Sequence, residues 1–237
     1  KIIDSEIVYQ TLTSSVKELG EGEEKVIYLP SDIDSWTKDD WINEVKGIIY
    51  ASNKLFIEGE GEQKKVNFDK LNGDTNTLLQ TIVDLYDDTN ENDDLSKVLQ
   101  SLIIVKTISE QIIKLSKEND MINTNGVISY SLDEWKVEIR ALVASSKLVF
   151  ADETGKIDIN NISFDKFIVL NDKQIETLLD SQIIRYSASK KTYEILKNTL
   201  ENDTLKLRKT SDIIGISICG SIKNVIAIAS GMLRGLG

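Results

Sequence analysis

A mainly α fold, built from tandem helical repeats with short β-strands or hairpins between the helices, is the class this chain predicts. Three observations predict it. Blocks of the sequence resemble one another, apolar residues recur at helical period, and Pro30 is the only proline in 237 residues. Scarce proline favours long helices over an all-β array, because proline breaks a helix interior.

The first element is a helix over 38–56, and its counterpart runs over 132–150. WINEVKGIIYASNKLF from Trp41 aligns without a gap on WKVEIRALVASSKLVF from Trp135. The Trp, Glu44/Glu138, Ser52/Ser146 and Phe56/Phe150 coincide, and Lys46 matches Arg140. Apolar residues fall at offsets 0, 4, 7, 8, 14 and 15 from each Trp, which is one stripe of a 3.6-residue period. Ser131 with Glu134, and Thr37 with Asp40, read as helix-starting boxes in which side chains satisfy free N–H groups of the first turn. Trp41, Phe56, Trp135 and Phe150 are therefore expected in the core, with Phe68 and Phe164 of an NFDK/SFDK corner. Asp69 and Asp165 of that corner read as helix caps or partners of Lys70 and Lys166.

Next come LFIEGEGEQKKVNF and LVFADETGKIDIN, where Gly and charges separate short apolar runs as in hairpins or irregular loops. Helices are expected over 76–87 and 95–117 in one half, and over 172–200 in the other. Short β-prone pieces at 26–30, 127–130 and 204–207 close the units. A serine-centred block occurs three times, around Ser5 (IIDSEIVYQTLT), Ser101 (VLQSLIIVKTIS) and Ser181 (LLDSQIIRYSAS). Hydroxyl residues at offsets 0, 6 and 8 fit close helix approach or bonds to a backbone carbonyl.

These spacings divide the chain into 1–35, the end of a preceding repeat; 36–130, unit one, with an acidic insertion at 84–94; 131–209, unit two; and 210–237, the opening helix of a divergent third unit. The apolar run 213–236 carries Lys223 and Arg234, so membrane spanning is not expected. Cys219 within it reads as a buried inert thiol.

Chemistry is narrowed by what the chain lacks. There is no His and a single Cys, which excludes a Ser-His or Cys-His pair and a Cys/His zinc site. The net charge of −11 argues against a nucleic-acid partner. No Gly-x-Gly-x-x-Gly turn or phosphate loop occurs, and no cofactor is expected. The aspartates Asp87, Asp88, Asp93 and Asp94 of the acidic stretch are candidate calcium ligands, without EF-hand spacing.

The Ser-x-Ile-Ile-x-x-Thr-x-Ser pattern together with the NFDK corner resembles modules of long tandem-repeat surface proteins of low-GC bacteria. That resemblance implies extracellular or cell-surface display. The expectation is then a non-enzymatic spacer or adhesion module whose partners are a protein or surface ligand and neighbouring repeats of the same chain. The rivals are a small-ligand or calcium-binding module, or a membrane-active protein using the apolar C-terminal helix.

Overall fold

The computed structural model describes residues 5–22, 25–59, 65–67, 71, 73–118, 122–160 and 169–187. Contacts divide the chain into two units, Lys1–Ser189 and Lys190–Gly237, and the second lies wholly outside the described residues. So do the β-prone piece 204–207, the run 213–236 with Cys219, and the corner residues Phe68, Asp69, Phe164 and Asp165.

The described part is mainly helical. The helices are α1 (Glu6–Leu19), α2 (Lys38–Ala51), α3 (Thr75–Val83), α4 (Asp94–Val98), α5 (Leu102–Glu118), α6 (Leu132–Val149) and α7 (Asp172–Asp180); residues 182–187 are also helical. Both boxes form. The Thr37 hydroxyl accepts from Asp40 N–H and the Ser131 hydroxyl from Glu134 N–H, while each carboxylate reaches back to the cap residue's own N–H. Replacing Ser131 with alanine should cost about 1 kcal/mol. A fall in melting temperature of roughly 2–4 °C, read by calorimetry, checks it.

The two tryptophan helices end differently. Beyond α2 the chain widens into a π turn, Ser52–Phe56, whereas α6 runs regularly to Val149. Each then returns through a short antiparallel pairing. β1 (Ile57–Glu58) pairs with β2 (Lys65–Val66), and Ala151 bridges Ile157. Each return is fastened to its phenylalanine, because Asn67 N–H donates to Phe56 O and Asp158 N–H to Phe150 O. The second return turns at Gly155, whose φ of +84° suits a residue without a Cβ.

Two of the β-prone pieces are not strands. Val26 and Ile27 give their N–H groups to Leu19 O at the end of α1, and Tyr28 N–H goes to the Thr107 hydroxyl. Residues 127–130 are a turn, in which Val127 N–H donates to Thr124 O and Tyr130 N–H to Val127 O. No neighbouring strand competes for these groups, so β-propensity alone does not make a sheet. The helix expected over 95–117 is broken at Ser101, and that over 172–200 at Ser181.

Two apolar clusters form the interior. The smaller holds Ile27, Ile33, Trp41, Val45 and Ile103 under the apolar face of α1 (Tyr9, Leu12, Val16 and Leu19). The larger includes Phe56, Ile104, Ile108, Trp135, Ile139 and Phe150. Trp41, Phe56, Trp135 and Phe150 are at most 4% exposed. Each Trp also meets an aromatic ring five residues earlier, edge to face: Trp36 on Trp41 at 5.2 Å and Tyr130 on Trp135 at 6.2 Å.

Candidate functional site

The two breaks in the helices share one cause, a buried glutamate on the tryptophan helix. Glu44 sits three residues after Trp41 and is 5% exposed. Its Oε1 accepts the Ser101 hydroxyl and Ile103 N–H (3.1 Å), and its Oε2 accepts Leu102 N–H (3.0 Å). Ser101 Oγ in turn accepts Ile104 N–H at 3.1 Å. Glu138 on α6 does the same for residues 181–184. Its Oε1 accepts the Ser181 hydroxyl (2.8 Å) and Ile183 N–H (3.0 Å), its Oε2 accepts Gln182 N–H (3.0 Å), and Ser181 Oγ accepts Ile184 N–H (3.2 Å).

The first N–H groups of a helix have no partner within it, and the positive end of the helix dipole favours an anion. One carboxylate satisfies both demands. Burial nevertheless pushes the Glu44 carboxyl above its ordinary range, against the Ser101 hydroxyl, the Ile103 and Leu102 N–H groups and the Lys136 charge, which pull it down.

A second fastening lies six residues further along. Thr107 donates its hydroxyl to Ile103 O (2.7 Å) and accepts Tyr28 N–H (3.0 Å). Ser187 donates to Ile183 O (2.6 Å) and accepts Asn123 N–H (2.9 Å). Each block is thus held by the tryptophan helix that precedes it and by the segment leading into that helix.

The acidic stretch is tied down by ion pairs and turn hydrogen bonds. Asp93, with its side chain 1% exposed, receives Arg140 Nη1 on both oxygens (2.9 and 3.1 Å), Asp87 N–H on Oδ2 and Ser96 N–H on Oδ1. Burial pushes its carboxyl up, but the guanidinium and the two N–H groups outweigh that and hold it below the ordinary aspartate range. Asp94 takes the Tyr50 hydroxyl (2.6 Å) and Lys54 Nζ (2.5 Å), and this hydrogen bond leads in pushing the Tyr50 phenol up to about 12. Asp87 accepts from the Thr89 N–H and hydroxyl. Among the described residues no three His, Cys, Asp or Glu side chains are grouped to hold a metal. Sequence reasoning missed Asp93 with Arg140, which are 47 residues apart and carry no local signal of pairing.

The described residues also form an open groove of about 790 Å³ between α3 and the turn around Gly155, lined in part by Thr77, Asp84, Tyr86, Lys147 and Lys156. Its amide side chains are already engaged, since Gln80 Oε1 accepts Ile157 N–H (2.7 Å) and Asn76 Oδ1 accepts Ile159 N–H (2.9 Å). In each clamp the serine hydroxyl beside the carboxylate is 0% exposed and is taken up by the helix start, accepting the Ile104 or Ile184 N–H. Among the described residues no helix is long and apolar enough to cross a membrane.

Comparison with known proteins adds a family likeness. The model of a family described as NAD-dependent glycerol-3-phosphate dehydrogenase C-terminus matches residues 212–237. Similar curated proteins are each named glycerol-3-phosphate dehydrogenase [NAD(P)+]. That of Agathobacter rectalis is 34% identical over 65 residues, 27% of this chain and 19% of its own. That of Wigglesworthia glossinidia brevipalpis is 34% identical over 88 residues, 37% of this chain and 25% of its own. That of Moorella thermoacetica is 34% identical over 59 residues, 25% of this chain and 18% of its own. The chain therefore spans about a quarter or less of the length of these relatives. No solved structure matches.

These matches correct the functional expectation drawn from the sequence. The likeness to bacterial surface-repeat modules rested on packing patterns, which any helical body of this period can share, while the matches lead to an enzyme family. The non-enzymatic spacer or adhesion module falls with it, and so do the ligand-binding and membrane-active rivals and the extracellular or cell-surface location. The apolar run containing Lys223, which the repeat spacing places in the opening helix of a third unit, lies within the matched residues.

Proposed function

We infer that this chain is part of an oxidoreductase of the glycerol-3-phosphate dehydrogenase kind, and that residues 212–237 contribute to holding the substrate. The match of those residues to the dehydrogenase C-terminus carries the reading. Their charge agrees with it. In a segment otherwise apolar or small and polar, Lys223 and Arg234 are the cations and Asp212 the lone acid. A phosphate monoester carries close to two negative charges at neutral pH and is recognised by such cations.

NAD(P), which the relatives' names imply, does not fit the described residues. A dinucleotide site of the doubly wound type needs a glycine-rich turn between a parallel strand and a helix. The described strands are one antiparallel pair, and the chain has no Gly-x-Gly-x-x-Gly turn. No hydride step is assigned to residues 5–187. Their part is a helical support, which we read as two copies of one unit, 36–130 and 131–209; the two glutamate clamps support that reading.

Calorimetric titration of the full chain with sn-glycerol 3-phosphate tests the assignment. Saturable binding is expected, weakened at least about tenfold in Lys223→Ala, as loss of a hydrogen bond to a charged group implies. Absence of saturable heat, or binding indifferent to Lys223, would overturn it.

A further inference from the structure

We propose that the exposed face of α1 around Ser5, Ile7 and Thr11 is a docking surface for an amphipathic helix bearing Trp-x-x-Glu, together with the extended segment that leads into it. The ground is that Ser5, the N-cap of α1, and Ile7 and Thr11 within it stand at the offsets where the other two serine blocks hold such a partner. Ser101 and Ser181 are 0% exposed and bind Glu44 and Glu138, whereas Ser5 is exposed and its side chain makes no cap bond. Two residues on, Ile103 and Ile183 are 0% exposed, while Ile7 is 77% exposed. Six residues on, Thr107 and Ser187 each accept a backbone N–H from the segment ahead of the tryptophan helix. Thr11 makes the matching bond to its own helix, donating to Ile7 O at 2.9 Å, as Thr107 does to Ile103 O and Ser187 to Ile183 O. Its outer side remains exposed.

A large apolar residue, a helix start and a hydroxyl acceptor are thus displayed together, in the spacing that is filled twice elsewhere in the same chain. The internal precedents define the occupant. It brings a carboxylate to the Ser5 hydroxyl and the Glu6 and Ile7 N–H groups, apolar cover to Ile7, and one backbone N–H to Thr11 Oγ1. The proposal stands on the recurrence of the clamp and is independent of the dehydrogenase reading.

The test is a fusion. A copy of residues 122–150, which carries the leading segment, the Trp and the Glu, is placed ahead of Lys1 of the full chain. The flexible linker is long enough to match the 43 residues that separate Glu138 from Ser181. Hydrogen exchange is then followed at the Glu6 and Ile7 amides. Docking should slow both by at least about 100-fold, since these amides pass from solvent into a buried hydrogen bond. The protection should vanish when the copied glutamate is replaced by alanine, and also in the fusion carrying Ile7→Asp. Exchange unchanged by the fusion, or protection that survives both replacements, would overturn the proposal.

Discussion

Arg140→Ala should lower the melting temperature by roughly 5–10 °C, the consequence of about 2–3 kcal/mol lost when the half-buried cation of a buried carboxylate is removed. The loss is large because Asp93 remains 1% exposed with its charge and no cation. Arg140 also donates to the Ser96 hydroxyl (2.7 Å) and lies over the Tyr86 ring at 5.1 Å, so the acidic stretch would lose its anchor to α6. The pH dependence carries a sign. In the native chain Asp93 is held below its ordinary value of 3.8, so its contribution is present above that value and fades as pH falls through the depressed one. Without the guanidinium the largest of the downward pulls is gone and the carboxyl rises, so the deficit is greatest at neutral pH and shrinks in acid. Thermal melts from pH 3 to 7 read this. Adding Asp93→Asn to Arg140→Ala should recover more than half of the loss. A double variant as unstable as the single one would show that charge is not the cause.

Glu44→Ala and Glu138→Ala should each cost about 3 kcal/mol, because each leaves a hydroxyl and two helix-starting N–H groups without their acceptor at roughly 1–3 kcal/mol per buried orphan. Denaturant midpoints should fall by similar amounts in the two variants, since the bonds correspond one for one. A silent variant at either position would show that the two clamps are not equivalent. At Glu44 the pH sign is the reverse of that at Asp93. Its carboxyl is raised above the ordinary value of 4.5, so the folded chain holds that proton more tightly than the unfolded one. Stability from this group is full in acid and declines as pH rises past 4.5 through the raised value. Glu44→Gln should remove that decline.

The helices of this body were legible because their signals are local. The stripe from Trp41 and from Trp135, and the boxes at Thr37 and Ser131, need only neighbouring residues, and the structure forms them. The clamps were half legible. Aligning the two segments paired Glu44 with Glu138, and aligning the serine blocks paired Ser101 with Ser181. Nothing in either alignment tied glutamate to serine, 57 and 43 residues apart. A sign was present all the same, since offset 3 lies on the same helical face as offsets 0 and 7, and a charge recurring on an apolar face requires a buried partner. The strands at 26–30 and 127–130 were misread because β-propensity does not supply a neighbour to pair with. Function was misread for a different reason. The segment that matches the dehydrogenase family model is mostly apolar, and it fits the same helical pattern as the rest of the chain.

The clamps also give the chain a direction in time. In both, the acid precedes the serine it captures, so a ribosome delivers Glu44 and Glu138 first and their acceptors 57 and 43 residues later. At about 5–20 residues per second that interval is several seconds, far longer than the microseconds a helix needs to form. Each newly translated serine therefore emerges to meet a carboxylate already made, and assembly can advance from the amino end without waiting for what has yet to be synthesised.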